Sequence, residues 1–252
     1  MPSKLLKTLN IDGILITKKE NVYHISNFNG SFGELLITKK NIYLITDARY
    51  SLEAKKHCKK NINIIVIEDY FKDLQELLLQ NKIQKLGFES KDFSYARYKK
   101  TKTELNNIKL ISLTNEIDHL RLIKTKAEIE LITKSQRLNE NVLKHILPTL
   151  KYGVSKNLTE QELASKIKIQ GLMLGAQDVS FDPIVAFGKN SASPHYTPSN
   201  VKLKKSDVVL IDMGFKLNGY CSDMSRTFLP NKPTNEMLHA YKAVLEAQEN
   251  CL

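Results

Sequence analysis

The chain has 252 residues, 42% of them hydrophobic and 26% charged, which is long enough for a substantial core in one large domain or two modest ones. No apolar run approaches the roughly eighteen residues of a membrane span, and the opening segment, MPSKLLKTLNIDGILI, has neither a continuous apolar stretch nor a small-residue cleavage site, so a cytoplasmic location is expected. The net charge of +11 raises the question of nucleic acid, but it is carried by lysines scattered in ones and twos, with arginine only at Arg49, Arg97, Arg121, Arg137 and Arg226; no nucleic-acid partner is expected.

In chain order, residues 11–17 (IDGILIT) read as a short apolar strand and residues 21–28 (NVYHISNF) as a second. Residues 34–47 read as a hairpin turning at 39–41, followed by a helix over about 48–60 and a strand of fully buried type in INIIVIED. Leu74, Leu77 and Leu78 line one face of the next helix, and KLGFES and NIKLISLT complete an α/β domain with mixed strands whose boundary falls near 115–120. A long amphipathic helix over 124–147 is expected to stop at Pro148. Thr159 with Glu162 forms a capping-box signature for a helix reaching about Leu174, with Gly175 as its cap. After Pro230 and Pro233, Thr234 opens a last helix over 235–250. Cys58, Cys221 and Cys251 are far apart and odd in number, so no disulfide framework is expected, and Cys221 reads as a small packing residue.

The stretch LIDMGFKLNGYCSDMSRTF, residues 210–228, carries the chemistry. Two segments rich in β-formers flank Asn218-Gly219, a strong hairpin turn signal. With a two- or four-residue loop, Asp212 lies opposite Asp223 or one diagonal step away, and period-two alternation sends both carboxylates to one face. A three-residue loop would break that parity. Like charges so placed repel, by roughly 4 kcal/mol at about 4 Å and an effective dielectric near 20. The neighbours Val208, Val209, Leu210, Ile211, Met213 and Phe215 are apolar, so full solvation of the pair is not expected and a divalent ion with hard oxygen ligands is the natural reading. A solvated hairpin carrying two unrelated aspartates is the alternative.

Upstream stands FDPIVAFGKNSASPHYTPSN, residues 181–200, with His195 between Pro194 and Pro198 and seventeen positions before Asp212. Together these phrases resemble the pita-bread metallopeptidases of the Xaa-Pro aminopeptidase and prolidase group, which carry FDxIVAxGxNSAxPHxxPS, then D-x-G, then GYxSDxTRTF. The segments HLRLIKTKAEIE from His119, TEQELASKIKIQ from Thr159, LITDARY and LGFES extend the likeness over nearly the whole chain. The resemblance implies an α/β (α+β) protein. A small N-terminal creatinase-like α/β domain would occupy 1–118. Over 119–252 an incomplete pita-bread catalytic domain would follow, comprising its first half and the first helix of the second.

It also implies two divalent ions, manganese first and cobalt or zinc as alternatives, held by two Asp, one His and two Glu. Asp212 would chelate one ion and Asp223 bridge both, with the ions activating water and polarising the scissile carbonyl. His195 would be catalytic, donating a hydrogen bond or proton beside the substrate. Ser225, where the family usually has threonine, would hydrogen-bond a metal carboxylate; Arg226 would orient the strand through a salt bridge, and Phe187 would narrow the cleft or merely pack. The implied substrate is a peptide with proline at the second position, and full-length relatives would be homodimers. An Xaa-Pro dipeptidase and a non-enzymatic pita-bread-like binding protein are the competing readings. The remaining expected ligands, a histidine in an HxxGHG-type phrase and two strand glutamates, do not occur: after Asp223 the glutamates are Glu236, Glu246 and Glu249. The chain is therefore expected to be truncated, to bind metal weakly and to turn over little.

Overall fold

The computed structural model of the protein describes residues 2–154 and 156–251; the expected break at Leu252 lies outside the described residues, as does Ser155. The chain divides into two compact units, 1–123 and 124–252.

The first unit contains α1 (Pro2–Leu9), β1 (Gly13–Ile16), α2 (Lys19–Ser26), β2 (Glu34–Thr38), β3 (Ile42–Thr46), α3 (Ser51–His57), β4 (Ile62–Val66), α4 (Tyr70–Gln80), β5 (Lys85–Glu89), α5 (Tyr95–Glu104) and β6 (Lys109–Leu113). Its six strands run in the order β4-β3-β2-β1-β5-β6. The β1–β2 and β2–β3 pairs are antiparallel and the other three parallel, a mixed sheet as its strand-and-helix alternation implies. Alternate residues feed two cores: Ile14, Ile16, Leu35 and Ile37 meet Leu6, Val22 and Ala54 on one face, while Leu15 and Leu36 meet Leu74, Leu77 and Leu78 on the other.

Two expectations for this unit need correction. NVYHISNF is not a strand: α2 covers most of it, because Val22, Ile25 and Ser26 fall on one helical face toward the core and Asn27, in the left-handed conformation at φ 65°, caps the end. INIIVIED is apolar but forms an edge strand rather than a doubly buried one, with Asn63 and Val66 exposed. The unit also continues past 118. Lys18 Nζ donates to both Asp118 oxygens at 3.0 and 2.8 Å, and Arg121 Nε donates to Asn21 Oδ1 at 2.6 Å, fastening the short helical turn at 118–121 to α2.

The second unit contains α6 (Lys126–Gly153), α7 (Glu160–Met173), β7 (Asp178–Val179), β8 (Ile184–Phe187), β9 (Val209–Met213), β10 (Phe215–Leu217), β11 (Tyr220–Cys221), β12 (Met224–Phe228) and α8 (Asn235–Glu249). Both α6 and α7 open with complete capping boxes, Thr125 with Glu128 and Thr159 with Glu162. Gly175, at φ 96°, follows the end of α7 where a side chain would be strained. Pro148 does not stop α6. It lies inside the helix on an exposed face, where the Lys144 carbonyl that loses its donor can meet water, while Leu150 and Val154 beyond it pack on the core.

Leu138, Val142 and Ile146 of α6 and Leu163 and Ile167 of α7 pack against Val185, Phe187, Ile211, Met213 and Phe215. Phe187 is 2% exposed, so it packs rather than narrowing a cleft. Helix α8 begins with Thr234 Oγ1 accepting from the Met237 amide at 3.2 Å and buries none of its residues. Among the described residues, no helix is long and apolar enough to cross a membrane.

Candidate metal centre

Residues 209–228 form a single hairpin distributed over two small sheets, β12-β9-β8 and β11-β10-β7. The turn is a two-residue loop: Leu217 pairs with Tyr220, and Asn218 and Gly219 have φ of 49° and 79°, the positive pair that a type I′ turn requires. The register is unbroken. Met213 pairs with Met224, and Lys216 with Cys221, which sets Gly214 opposite Asp223 and Asp212 opposite Ser225. The two aspartates are thus one diagonal step apart, about 7 Å between neighbouring side-chain positions rather than in direct opposition.

Burial alternates along β9 and over residues 221–225. Val209, Ile211, Met213, Ser222 and Met224 are buried toward the helices, leaving Asp212, Asp223 and Ser225 on the outer face. This corrects one expectation. The apolar neighbours of Asp212 belong mostly to the opposite face, so they do not enclose the pair; Asp212 is half-buried and Asp223 exposed. Cys221 is also exposed rather than packed. Ser225 Oγ donates to Asp212 Oδ1 at 2.6 Å, and Arg226 Nη1 donates to the Ser225 carbonyl at 2.8 Å, Arg226 joining no ion pair among the described residues.

Residues beyond the two aspartates hold this hairpin, among them Gly214 and Ser222 of the motif phrases and others that no phrase marks. Gly214 sits where the chain passes from one sheet to the other, and a Cβ there would lie 2.1 Å from the Ser222 carbonyl oxygen. The carbonyls on either side are taken by α6: Asn139 Nδ2 donates to Met213 O at 3.0 Å and Ser135 Oγ to Phe215 O at 2.7 Å. Ser180 closes the remaining side, its amide donating to Gly214 O at 2.9 Å and its Oγ to Ser222 O at 2.9 Å. Ser135 and Asn139 are four apart and fully buried, so a pair of polar residues on the apolar face of α6 is the one clue the sequence offered.

His195 is exposed, in the loop that follows the short helical turn at 188–192. Fully buried Glu160 at the start of α7 accepts hydrogen bonds from residues on both sides of it. Burial opposes the charged form of Glu160, but bonds from Asn190, the Phe187 amide, Tyr196 and Ser199 outweigh it and hold the carboxyl below its ordinary value.

Carboxylate oxygens suit hard divalent cations, and Asp212 and Asp223 on one face, with Ser225 fixing one oxygen, fit one side of such a centre. They supply too few donors for two ions by themselves. Among the described residues no group of three or more His, Cys, Asp or Glu is brought together, so His195 does not join the aspartates as a third ligand.

Residues 130–252 match the metallopeptidase family M24, and residues 3–123 match the creatinase/prolidase N-terminal domain. An uncharacterized peptidase, YqhT, of Bacillus subtilis is 32% identical over 244 residues, covering 97% of this chain and 68% of the relative. The chain spans 47% of the length of Staphylococcus aureus relatives that are 35% identical over 170 residues. The structure of an Xaa-Pro dipeptidase from Bacillus anthracis superposes with a TM-score of 0.92 at 32% identity, covering 98% of this chain and 68% of that one. An X-Pro aminopeptidase from Thermotoga maritima superposes with a TM-score of 0.87 at 28% identity, covering 98% and 70%. The two units, the single-register aspartate hairpin and these likenesses lead to one conclusion: the chain belongs to the M24 metallopeptidases of pita-bread fold, with a creatinase-type N-terminal domain.

Proposed function

We propose that the chain carries metal-binding and substrate-side parts of a cytoplasmic Xaa-Pro aminopeptidase, a hydrolase that releases the N-terminal residue from peptides with proline at the second position. The observation that supports this most is the placement of Asp212 and Asp223 on one exposed face of a hairpin, with Ser225 bonded to Asp212. In this reading the two carboxylates hold manganese or another divalent ion, and Ser225 keeps Asp212 Oδ1 aimed. When bound, such an ion supplies Lewis acidity toward a peptide carbonyl and water. His195 donates its ring N–H toward the carbonyl oxygen of the scissile bond, where negative charge develops. The likeness to the Bacillus anthracis Xaa-Pro dipeptidase favours a second reading, cleavage restricted to Xaa-Pro dipeptides.

Calorimetric titration with Mn²⁺ is the first test: weak binding is expected for the chain and none for Asp212→Asn or Asp223→Asn. Equal binding by all three proteins would refute the assignment. Hydrolysis assays on Xaa-Pro-Xaa tripeptides against Xaa-Pro dipeptides, with the chain extended to the length of its relatives, separate the two specificities. Cleavage of neither substrate by metal-loaded protein would remove both.

A further inference from the structure

The carboxylate of Glu160 occupies an unusual position in the second unit. It has no exposed surface, yet among the described residues no cation is bonded to it. Oε1 accepts from the Phe187 amide at 2.8 Å and Asn190 Nδ2 at 2.9 Å. Oε2 accepts from Tyr196 Oη at 2.8 Å and from the amide and hydroxyl of Ser199 at 3.2 and 2.8 Å. The donors also bond one another: Asn190 Nδ2 donates to Tyr196 Oη at 2.8 Å, and Ser199 Oγ lies 2.9 Å from the same oxygen. A buried carboxylate costs several kcal/mol unless its lone pairs are filled, and here both oxygens are filled by donors alone. Only the ionised carboxylate, acceptor at every site, accommodates them all.

All these donors come from one stretch of chain, residues 187–199, and they bracket His195 on both sides. Phe187 and Asn190 precede it; Tyr196 and Ser199 follow. The helix start is tied to the last residue of this stretch and to one just beyond it by backbone bonds, the Gln161 amide to Ser199 O at 3.0 Å and the Glu160 amide to Val201 O at 3.1 Å. Between Ser193 and Ser199 the chain is not paired in a sheet, and the side chain of His195 makes no hydrogen bond among the described residues. What locates the imidazole is therefore the path of its loop, and that path is gathered onto a single side chain.

We propose that Glu160 is a positioning residue for His195: its buried carboxylate sets the loop that presents the imidazole to substrate. The functional half of this inference rests on the reading of His195 as the substrate-side donor; the structural half does not. Replacement by glutamine turns one oxygen into an NH₂ group that faces donors, so at least one side of the clamp must open. Aspartate keeps the charge but is one methylene shorter, and restores the clamp in part.

The test is NMR on the metal-free chain, wild type against Glu160→Gln, Glu160→Asp and Tyr196→Phe, following the His195 ring ¹⁵N signals and amide exchange at Phe187 and Ser199. Glutamine should speed exchange at those two amides on the order of 10- to 100-fold, the loss of charge-assisted bonds, and move or broaden the His195 ring signals. Aspartate should recover part of both effects, and Tyr196→Phe should disturb His195 with a smaller change at Phe187. Unchanged exchange and an unmoved His195 ring in Glu160→Gln would overturn the proposal. So would a uniform rise in exchange across α6, β8 and β9, since that marks general destabilisation. Neither readout needs metal or substrate, so a failure of the peptidase reading in the titration above is separately visible.

Discussion

Alanine at Gly214 should damage both the stability of the second unit and its aspartate pair. The added Cβ would stand 2.1 Å from Ser222 O and 2.9 Å from Phe181 Cε1, and the first is backbone that cannot rotate away. Relief requires a shift of about 1 Å between the two strands, roughly the deficit from an ordinary carbon–oxygen contact. That shift would strain the Ser222 amide to Phe215 O bond (2.9 Å), the Phe215 amide to Ser222 Oγ bond (3.1 Å) and the Ser180 Oγ to Ser222 O bond (2.9 Å). At about 1 kcal/mol net each, with an overpacking cost of about 1–3 kcal/mol, the expected loss is roughly 4–6 kcal/mol. This is a large part of the roughly 5–15 kcal/mol that holds a domain together. The chain has no tryptophan, so urea unfolding is best followed by far-UV circular dichroism, with amide exchange at Ile211 and Met213 locating the effect. Gly175→Ala is the control: its Cβ meets nothing within 4 Å, and only the positive φ is strained, for about 1 kcal/mol. A Gly214→Ala protein that loses under about 1 kcal/mol, or no more than the control, would refute the claim that glycine is required by close backbone approach.

Other outcomes follow from particular contacts. Ser225→Ala, which removes the 2.6 Å bond to Asp212, should weaken Mn²⁺ binding about 10-fold while leaving the dichroism spectrum unchanged; equal affinity would show that Asp212 needs no orienting partner. Pro148→Ala should stabilise the second unit by about 1–3 kcal/mol by returning a donor to the Lys144 carbonyl, seen as a higher urea midpoint; a fall would mean the ring supports local packing. Glu160 has a lowered pKa in the folded state, so the unfolded chain binds the extra proton first. The stability it supplies is complete above its ordinary value of 4.5 and is lost as pH falls through the lowered folded value. Amide exchange at Phe187 measured from pH 6 downward should therefore accelerate, beyond the intrinsic pH trend, in wild type but not in Glu160→Gln.

Much of the site was legible because it is local. The Asn218-Gly219 turn, eleven residues of separation between the aspartates and period-two alternation place both carboxylates on one face once the loop has two residues, as the Leu217–Tyr220 pair shows. The motif phrases around His195 and Asp223 were equally readable, being contiguous in the chain. What failed were inferences about environment. Apolar neighbours along β9 suggested an enclosed pair, but alternation sends most of them to the other side. NVYHISNF reads as a strand by composition, and only the core of the first unit selects the helical face of Val22, Ile25 and Ser26.

Glu160 shows the same division most plainly. Beside Thr159 it reads as an ordinary acidic residue in a first helical turn, favoured there by the helix dipole. Its partners lie 27 to 39 residues away, and nothing in their spacing marks them as ligands of one carboxylate. The sequence alone determined the hairpin, its Asn218-Gly219 turn, the capping box at Thr159 and the family resemblance, because each depends on residues close in the chain or on contiguous phrases. The tertiary structure decided which face is open, that a proline can lie within α6, and that a loop bearing His195 closes on a buried charge. Those outcomes depend on which distant groups are left to satisfy one another once the core has packed.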